Sequence, residues 1–157
     1  MSTRPRLLFL DFDGVLHPYD SHFELPDVAV PLEQLLAAGL FVHRELLEQI
    51  LAPFPHASLV VHSSWRKTHG VPALRALLGP LGHRLIAATI AGLDRELSVL
   101  EFMRRRQVDA DQVLILDDQP DTFVKLRPRV VACDPMRGIS DVGVQQVLDA
   151  ALRCQVP

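Results

Sequence analysis

The sequence predicts an α/β fold, a Rossmann-like three-layer sandwich around a central parallel sheet of about five strands with a minimal cap. Three observations carry that expectation. Short, fully apolar runs rich in branched residues alternate along the chain with stretches of helical periodicity. The runs lack the in–out alternation of a half-exposed strand, so they suit a sheet buried on both faces. Strand–helix–strand order favours right-handed parallel crossovers. No repeat, low-complexity tract or linker divides the 157 residues, so 1–157 reads as one domain able to bury about two-thirds of its extended surface.

The elements follow in order. Leu7–Leu10 reads as the first strand and stops at Asp11. Residues 17–40 carry Pro18, Pro26, Pro31 and Gly39; prolines at that density favour a flap over a folded cap, with room for one short helix at 32–38. Tyr19, His22 and Phe23 in this flap are candidate substrate contacts. "VHRELLEQILA", 42–52, places Val42, Leu46, Leu47, Ile50 and Leu51 on one helical face. "ASLVVH", 57–62, is a second strand. "VPALRALLG" starts a helix at Pro72 and stops it at Gly79. "HRLIAATI", 83–90, reads as a third strand, followed by a helix over 96–106 with Leu97, Leu100 and Met103 at three-residue spacing. Strands at 112–118 and 129–133 come next. A final helix over 141–153 carries the stripe Val144, Val147, Leu148, Ala151 and Leu152.

Composition excludes several classes. A net charge of −3 exerts no general pull on nucleic acid or an anionic membrane. The triplet Arg104–Arg106 reads as a solvated helix end, its cations near the negative end of the helix dipole. Cys133 and Cys154 have no metal-ligand spacing and need not pair, so a reduced, cytosolic chain is expected. The apolar run after Arg6 is too short for a signal peptide or a membrane span. The seven histidines show no H-E-x-x-H spacing and read as surface or packing residues, His62 among them with Trp65.

In open parallel sheets ligands gather beyond the carboxyl ends of the strands. Three strand ends carry distinctive polar groups: Asp11-Phe12-Asp13-Gly14, Ser63-Ser64-Trp65-Arg66 and Asp117-Asp118. If those strands are neighbours, four carboxylates converge on one mouth, which demands a cation. Hard oxygen donors with little else nearby suit Mg²⁺, which keeps several waters and commonly binds with a phosphate. An EF-hand calcium loop does not fit, because its sixth position would need Gly and its twelfth Glu, whereas Gly14 is fourth and His22 twelfth. A phospho-acceptor receiver domain would place its acidic pair first and a Lys late, the opposite of the order seen. Asp11 and Asp13 as mere turn caps would leave the other two strand ends unexplained.

This order of motifs resembles a known family. "LLFLDFDGVL" resembles the first motif of the haloacid dehalogenase superfamily, "LVVHSSWR" its second, a strand ending in Ser or Thr, and "VLILDD" its fourth. Arg95 stands where a third-motif Lys or Arg would fall. The "SSWR" and "LDD" wording is most similar to small, cap-poor phosphatase-like members, including a domain found in RNA-repair polyproteins. The resemblance implies aspartyl-phosphate chemistry. Asp11 would be the nucleophile, and Asp13 would protonate the leaving oxygen and later take a proton from water. Ser63 would donate to a phosphoryl oxygen, with Ser64 instead capping the following helix. Arg66 would reach the phosphate as a bidentate donor or stand exposed on its helix. Gly14 would turn the backbone where a side chain would crowd the phosphate. Arg95 would offset charge between Asp11 and the phosphoryl group. Mg²⁺ would be held by Asp11, the backbone carbonyl of Asp13 and one of the last pair, Asp118 in preference to Asp117.

The function expected is therefore Mg²⁺-dependent hydrolysis of a phosphomonoester at an open site. Two alternatives stay open: a nucleic-acid end-processing phosphatase or phosphotransferase acting with a partner, and a non-catalytic metal-binding module of the same fold. The charge gives no signature for free nucleic-acid binding, no membrane partner is expected, and neither substrate identity nor oligomeric state can be read from the chain.

Overall fold

The computed structural model describes residues 7–20 and 30–154. Five strands form one wholly parallel sheet in the order β3-β2-β1-β4-β5. They are β1 (Leu7–Leu10), β2 (Ser58–Val61), β3 (Leu85–Ala88), β4 (Val113–Asp117) and β5 (Val130–Ala132). The helices are α1 (Leu32–Ala37), α2 (Arg44–Leu51), α3 (Val71–Leu78), α4 (Arg95–Arg106) and α5 (Val142–Arg153). Every strand and helix expected from the sequence is present: β1 has the expected bounds, and the ends of the others differ from expectation by no more than two residues.

Successive side chains along a strand point to opposite faces, and the central strand divides its apolar residues accordingly. Leu8 and Leu10 join Leu59, Val61, Leu114 and Leu116 against Leu35 of α1, Leu47 and Leu51 of α2, Leu74 and Leu78 of α3, and Leu148 and Leu152 of α5. Phe9, Val60, Val113 and Ile115 face the other way, onto Val99, Phe102 and Met103 of α4 with Phe123 and Leu126. Phe9 meets Phe102 edge-on at 5.4 Å. β1 is therefore buried on both sides.

Three apolar stripes fall differently from their sequence spacing. In α4 the buried apolar positions are Val99, Phe102 and Met103, while Leu97 in the first turn is 52% exposed. Val42 precedes α2 and is exposed, and Val147 of α5 is exposed beside buried Leu148. The flap expectation also needs correction at its start. His17 is 1% exposed and belongs to the core, as do Leu35 and Leu40. His22, Phe23 and Pro26 lie outside the described residues.

A buried arginine fastens the first crossover. Arg84, just before β3, donates to the carbonyls of Leu51, Phe54 and Ala57 and pairs with Glu48 at 2.9 Å. It thereby adds a side-chain donor to the carbonyls of the turn that follows α2, where Phe54 N–H already donates to Leu51 O and Ala57 N–H to Phe54 O. Glu101 accepts from Arg104 and Arg105 on the solvent side of α4, and Arg106 lies over Phe102, so the triplet is the solvated helix end expected. Cys133 and Cys154 are both free. No helix among the described residues is long and apolar enough to cross a membrane.

Candidate active site

Because β1 sits between β2 and β4, its carboxyl end is flanked by theirs, and the backbone ladder continues past the last strand residues. Asp11 N–H donates to Leu116 O at 3.1 Å, and His62 N–H donates to Leu10 O at 2.8 Å. Asp11, Ser63 and Asp117 are thus brought side by side, all 2% exposed or less.

One guanidinium ties the acidic groups together. Arg95 opens α4, whose first turn is capped by Asp94 accepting from Leu97 N–H. Its Nη1 donates to Asp11 Oδ2 at 3.1 Å and to Asp117 Oδ2 at 2.7 Å. The remaining Asp117 oxygen accepts from Gln119 N–H at 2.7 Å, and Asp11 Oδ1 accepts from its neighbour Phe12 N–H at 2.8 Å. Asp118 is half-buried, and oxygens of Asp11, Asp117 and Asp118 lie within 4.8 Å of one another.

Three carboxyls against one arginine leave a surplus of negative charge in a buried place. Burial first, and then the charge of Asp117, hold the Asp11 carboxyl well above the usual carboxylate range, with Arg95 opposing. Burial and Asp117 also raise Asp118, opposed by its hydrogen bond with Asp11. Burial works against the charge on Arg95, yet Asp11 and Asp117 together bind its proton more tightly than usual. The residues fit a divalent cation with oxygen ligands, which would relieve this surplus.

Gly14 makes the turn expected of it. Its φ of +74° lies in the left-handed region, and a Cβ there would collide with the Asp118 carboxylate. The glycine makes room for the acidic side chain. Asp13 stands apart: its carboxylate is outside the acidic cluster and is bonded to His17 Nε2 at 2.9 Å.

The Ser63–Arg66 segment differs from expectation in one respect. Ser63, not Ser64, caps the short 3-10 turn Ser64–Lys67, its Oγ accepting from Trp65 N–H at 3.3 Å. Ser63 has the extended backbone a cap requires, whereas Ser64 is already in the turn. Arg66 does not stand out in solvent. Its Nη1 donates to Ser63 O at 2.7 Å, and its buried Nε has no hydrogen-bond partner among the described residues. Burial first, then Arg95, lowers its hold on its proton, while Asp11 raises it, so the two arginines and Asp11 share one field. His62 packs edge-on to Phe123, and burial with Arg66 and Arg95 nearby pushes it down to about 3, so it is neutral. The Cys133 thiol is pushed up to about 12 by burial and then by Asp118, Asp117 and Asp11, which leaves it without nucleophilic character at neutral pH.

The residue that sequence reading passed over is His17. Its signal was present, since Asp13 and His17 stand four apart in "DGVLH", but that spacing implies contact only inside a helical turn.

Residues 7–144 match the family model described as the HAD domain in Swiss Army Knife RNA repair proteins. No curated protein and no solved structure matches the chain.

Proposed function

The chain belongs to the haloacid dehalogenase-like (HAD) domains of the kind described from Swiss Army Knife RNA repair proteins, a phosphatase-type hydrolase family, and on that premise we propose an Mg²⁺-dependent phosphomonoester hydrolase acting through an aspartyl-phosphate intermediate. The observation that carries the reading is Asp11, a buried carboxylate at the end of the central strand, sharing Arg95 with Asp117 and lying beside Asp118. A structural carboxylate in that position would not need two more beside it.

Asp11, Asp118 and the backbone carbonyl of Asp13 would hold the cation. Asp118 is preferred to Asp117 because it is only half-buried, whereas Asp117 is fully buried and holds Arg95 at 2.7 Å, closer than Asp11 does at 3.1 Å. When bound, the ion supplies positive charge that lets Asp11 remain ionised beside a phosphate. In the first half-reaction an Asp11 carboxylate oxygen attacks phosphorus. A P–O bond to Asp11 forms while the bond to the leaving oxygen breaks, and Asp13 gives that oxygen its proton. In the second, water attacks phosphorus, its proton passes to Asp13, and Asp11 departs as a carboxylate with inorganic phosphate. Arg95 and Arg66 bring cationic donors to the transferring group, and Ser63 adds a hydroxyl. Phosphate-monoester hydrolysis is among the slowest uncatalysed reactions, with enzymic accelerations of up to ~10²¹, so several such groups are wanted at once. The family's description favours a phosphate at a nucleic-acid end as the substrate to test first.

Asp11→Asn should abolish turnover on a phosphomonoester panel while the fold, followed by circular dichroism, stays intact. EDTA should abolish wild-type turnover and Mg²⁺ restore it. A crystal soaked with aluminium fluoride should place the metal fluoride against an Asp11 oxygen. Wild-type activity in Asp11→Asn would sink the mechanism.

A further inference from the structure

The turn after β1 carries a second buried constellation, centred on His17. The chain doubles back within a few residues: Val15 and Leu16 N–H both donate to Phe12 O, and Gly14 N–H donates to His17 O at 2.9 Å. This sets His17 below Asp13 with its ring 1% exposed, edge-on to Phe41 at 5.1 Å and to Trp65 at 6.5 Å. Each ring nitrogen has one partner. Phe41 N–H donates to Nδ1 at 3.1 Å, and Nε2 faces Asp13 Oδ1 at 2.9 Å.

The backbone donor decides the tautomer. An N–H can only give a proton, so Nδ1 must accept, and the ring proton resides on Nε2, where it is donated to Asp13. That donor is held at a conformational cost. Phe41 is one of two non-glycine residues with positive φ among the described residues, at +58°. A bulky residue in the left-handed region is a backbone outlier that carries a conformational cost. Such strain persists only where the surroundings fix it, and here Phe41 is fully buried between Phe12, His17 and Trp65.

From this geometry we infer that His17 is a positioning residue for Asp13: a single tautomer, set by the Phe41 backbone, grips one carboxylate oxygen and leaves the other to exchange the proton with the leaving group. Among the described residues no second side chain anchors Asp13 in this way, and its side chain is 24% exposed. Without the ring it would sample several rotamers at the mouth. A group out of place by about 1 Å can cost on the order of 10²-fold in rate. The inference rests on the proposed role of Asp13 as acid and base, and its test separates the two.

Two substitutions divide the ring's functions. His17→Asn keeps an oxygen near the Nδ1 position for Phe41 N–H but loses the donor to Asp13. His17→Gln places an amide N–H near the Nε2 position and so restores that donor. With phosphomonoesters ranging from dinitrophenyl phosphate to an alkyl phosphate, kcat/KM reports the step in which the leaving group departs. His17→Asn should lose ~10–100-fold on the alkyl ester and less than about 3-fold on the dinitrophenyl ester, since only the poor leaving group needs the proton. His17→Gln should recover most of the loss, and Asp13→Asn should show the same leaving-group dependence more steeply. Equal losses on both esters, or none, in His17→Asn would overturn the inference while leaving Asp13's role standing. Absence of leaving-group dependence in Asp13→Asn would overturn that role, and the inference with it. Long-range proton–nitrogen NMR couplings of the wild-type imidazole give a check that needs no variant: the Nε2–H tautomer is expected for His17, and the Nδ1–H tautomer would refute the arrangement.

Discussion

At the scale of single residues the site is an electrostatic problem left for a cation to solve, and pH exposes it. Asp11 and Asp118 are both raised by burial and by Asp117. A carboxyl whose folded value lies above its unfolded one contributes stability at acid pH that is lost as pH rises through the folded value. The metal-free protein should therefore lose stability between mildly acid and neutral pH. If Mg²⁺ binds the ionised folded site as proposed, it should restore more at pH 8 than at pH 5, the two ends of the ~pH 5–8 window in which most proteins are at their steadiest. Asp118→Asn removes one of the repelling charges. It should raise the melting temperature of the EDTA-treated protein at pH 8 and abolish the gain on adding Mg²⁺. Asp117→Asn should instead lower the melting temperature, because Arg95 would lose its closer partner. Thermal melts with and without EDTA decide it; an Asp118→Asn protein that keeps the Mg²⁺ gain would show the metal is held elsewhere. The acidic residues were legible in the sequence because charge at the end of an apolar run has few structural explanations. Ser63 and Ser64 were not distinguishable, since either can cap and only backbone angles select one. His17 was hidden because its meaning depends on a turn that brings Phe41, 24 residues on, against its ring.

Among elements, short hydrophobic runs located all five strands, most clearly the central β1 and β4, where a strand buried on both faces has no room for polar residues. Helix periodicity located the helices but misjudged single positions of their buried stripes: Leu97 in the first turn of α4, Val42 before α2 and Val147 within α5 are all exposed. What periodicity could not reveal is how the crossovers are fastened. Arg84 reads as an ordinary charge before β3, yet its guanidinium closes three carbonyls and meets Glu48. Removing one partner from a buried charged network costs about 3–5 kcal/mol, because the other members are left unpaired. Arg84→Ala should therefore shift the urea midpoint strongly without altering the slope. Arg104→Ala, whose partner Glu101 is on the solvent side, should leave the midpoint unchanged within error. Equal effects of the two substitutions would mean that the crossover is not held by Arg84.

For the molecule as a whole the order β3-β2-β1-β4-β5 puts the three chemistry-bearing strand ends side by side, so chain topology assembles the site and the loops that follow the strands form its surroundings. Those loops are unusually apolar where they meet solvent. Tyr19 follows β1, Leu93 and Leu97 follow β3, Val124 follows β4 and Met136 follows β5, and all five are exposed. Tyr19 N–H donates to Pro135 O at 2.7 Å, which ties the β1 loop to the β5 loop, while Glu96 accepts from Val124 and Leu126 N–H and ties the start of α4 to the β4 loop. A substrate consisting of little more than a phosphate and a few carbons would touch none of this apolar surface; a phosphate at the end of a larger molecule could use it. Binding energy from the remote part of a substrate can be spent at the reacting centre, so the advantage should appear in kcat/KM. A phosphorylated oligonucleotide end should accordingly exceed glycerol phosphate in kcat/KM by at least ~10-fold, the effect of roughly 1.4 kcal/mol. Tyr19→Ala and Val124→Ser should erode that preference while leaving turnover of the small ester unchanged. Equal or better turnover of the small ester would mean that the mouth closes over its substrate, and that specificity does not come from the strand-end loops.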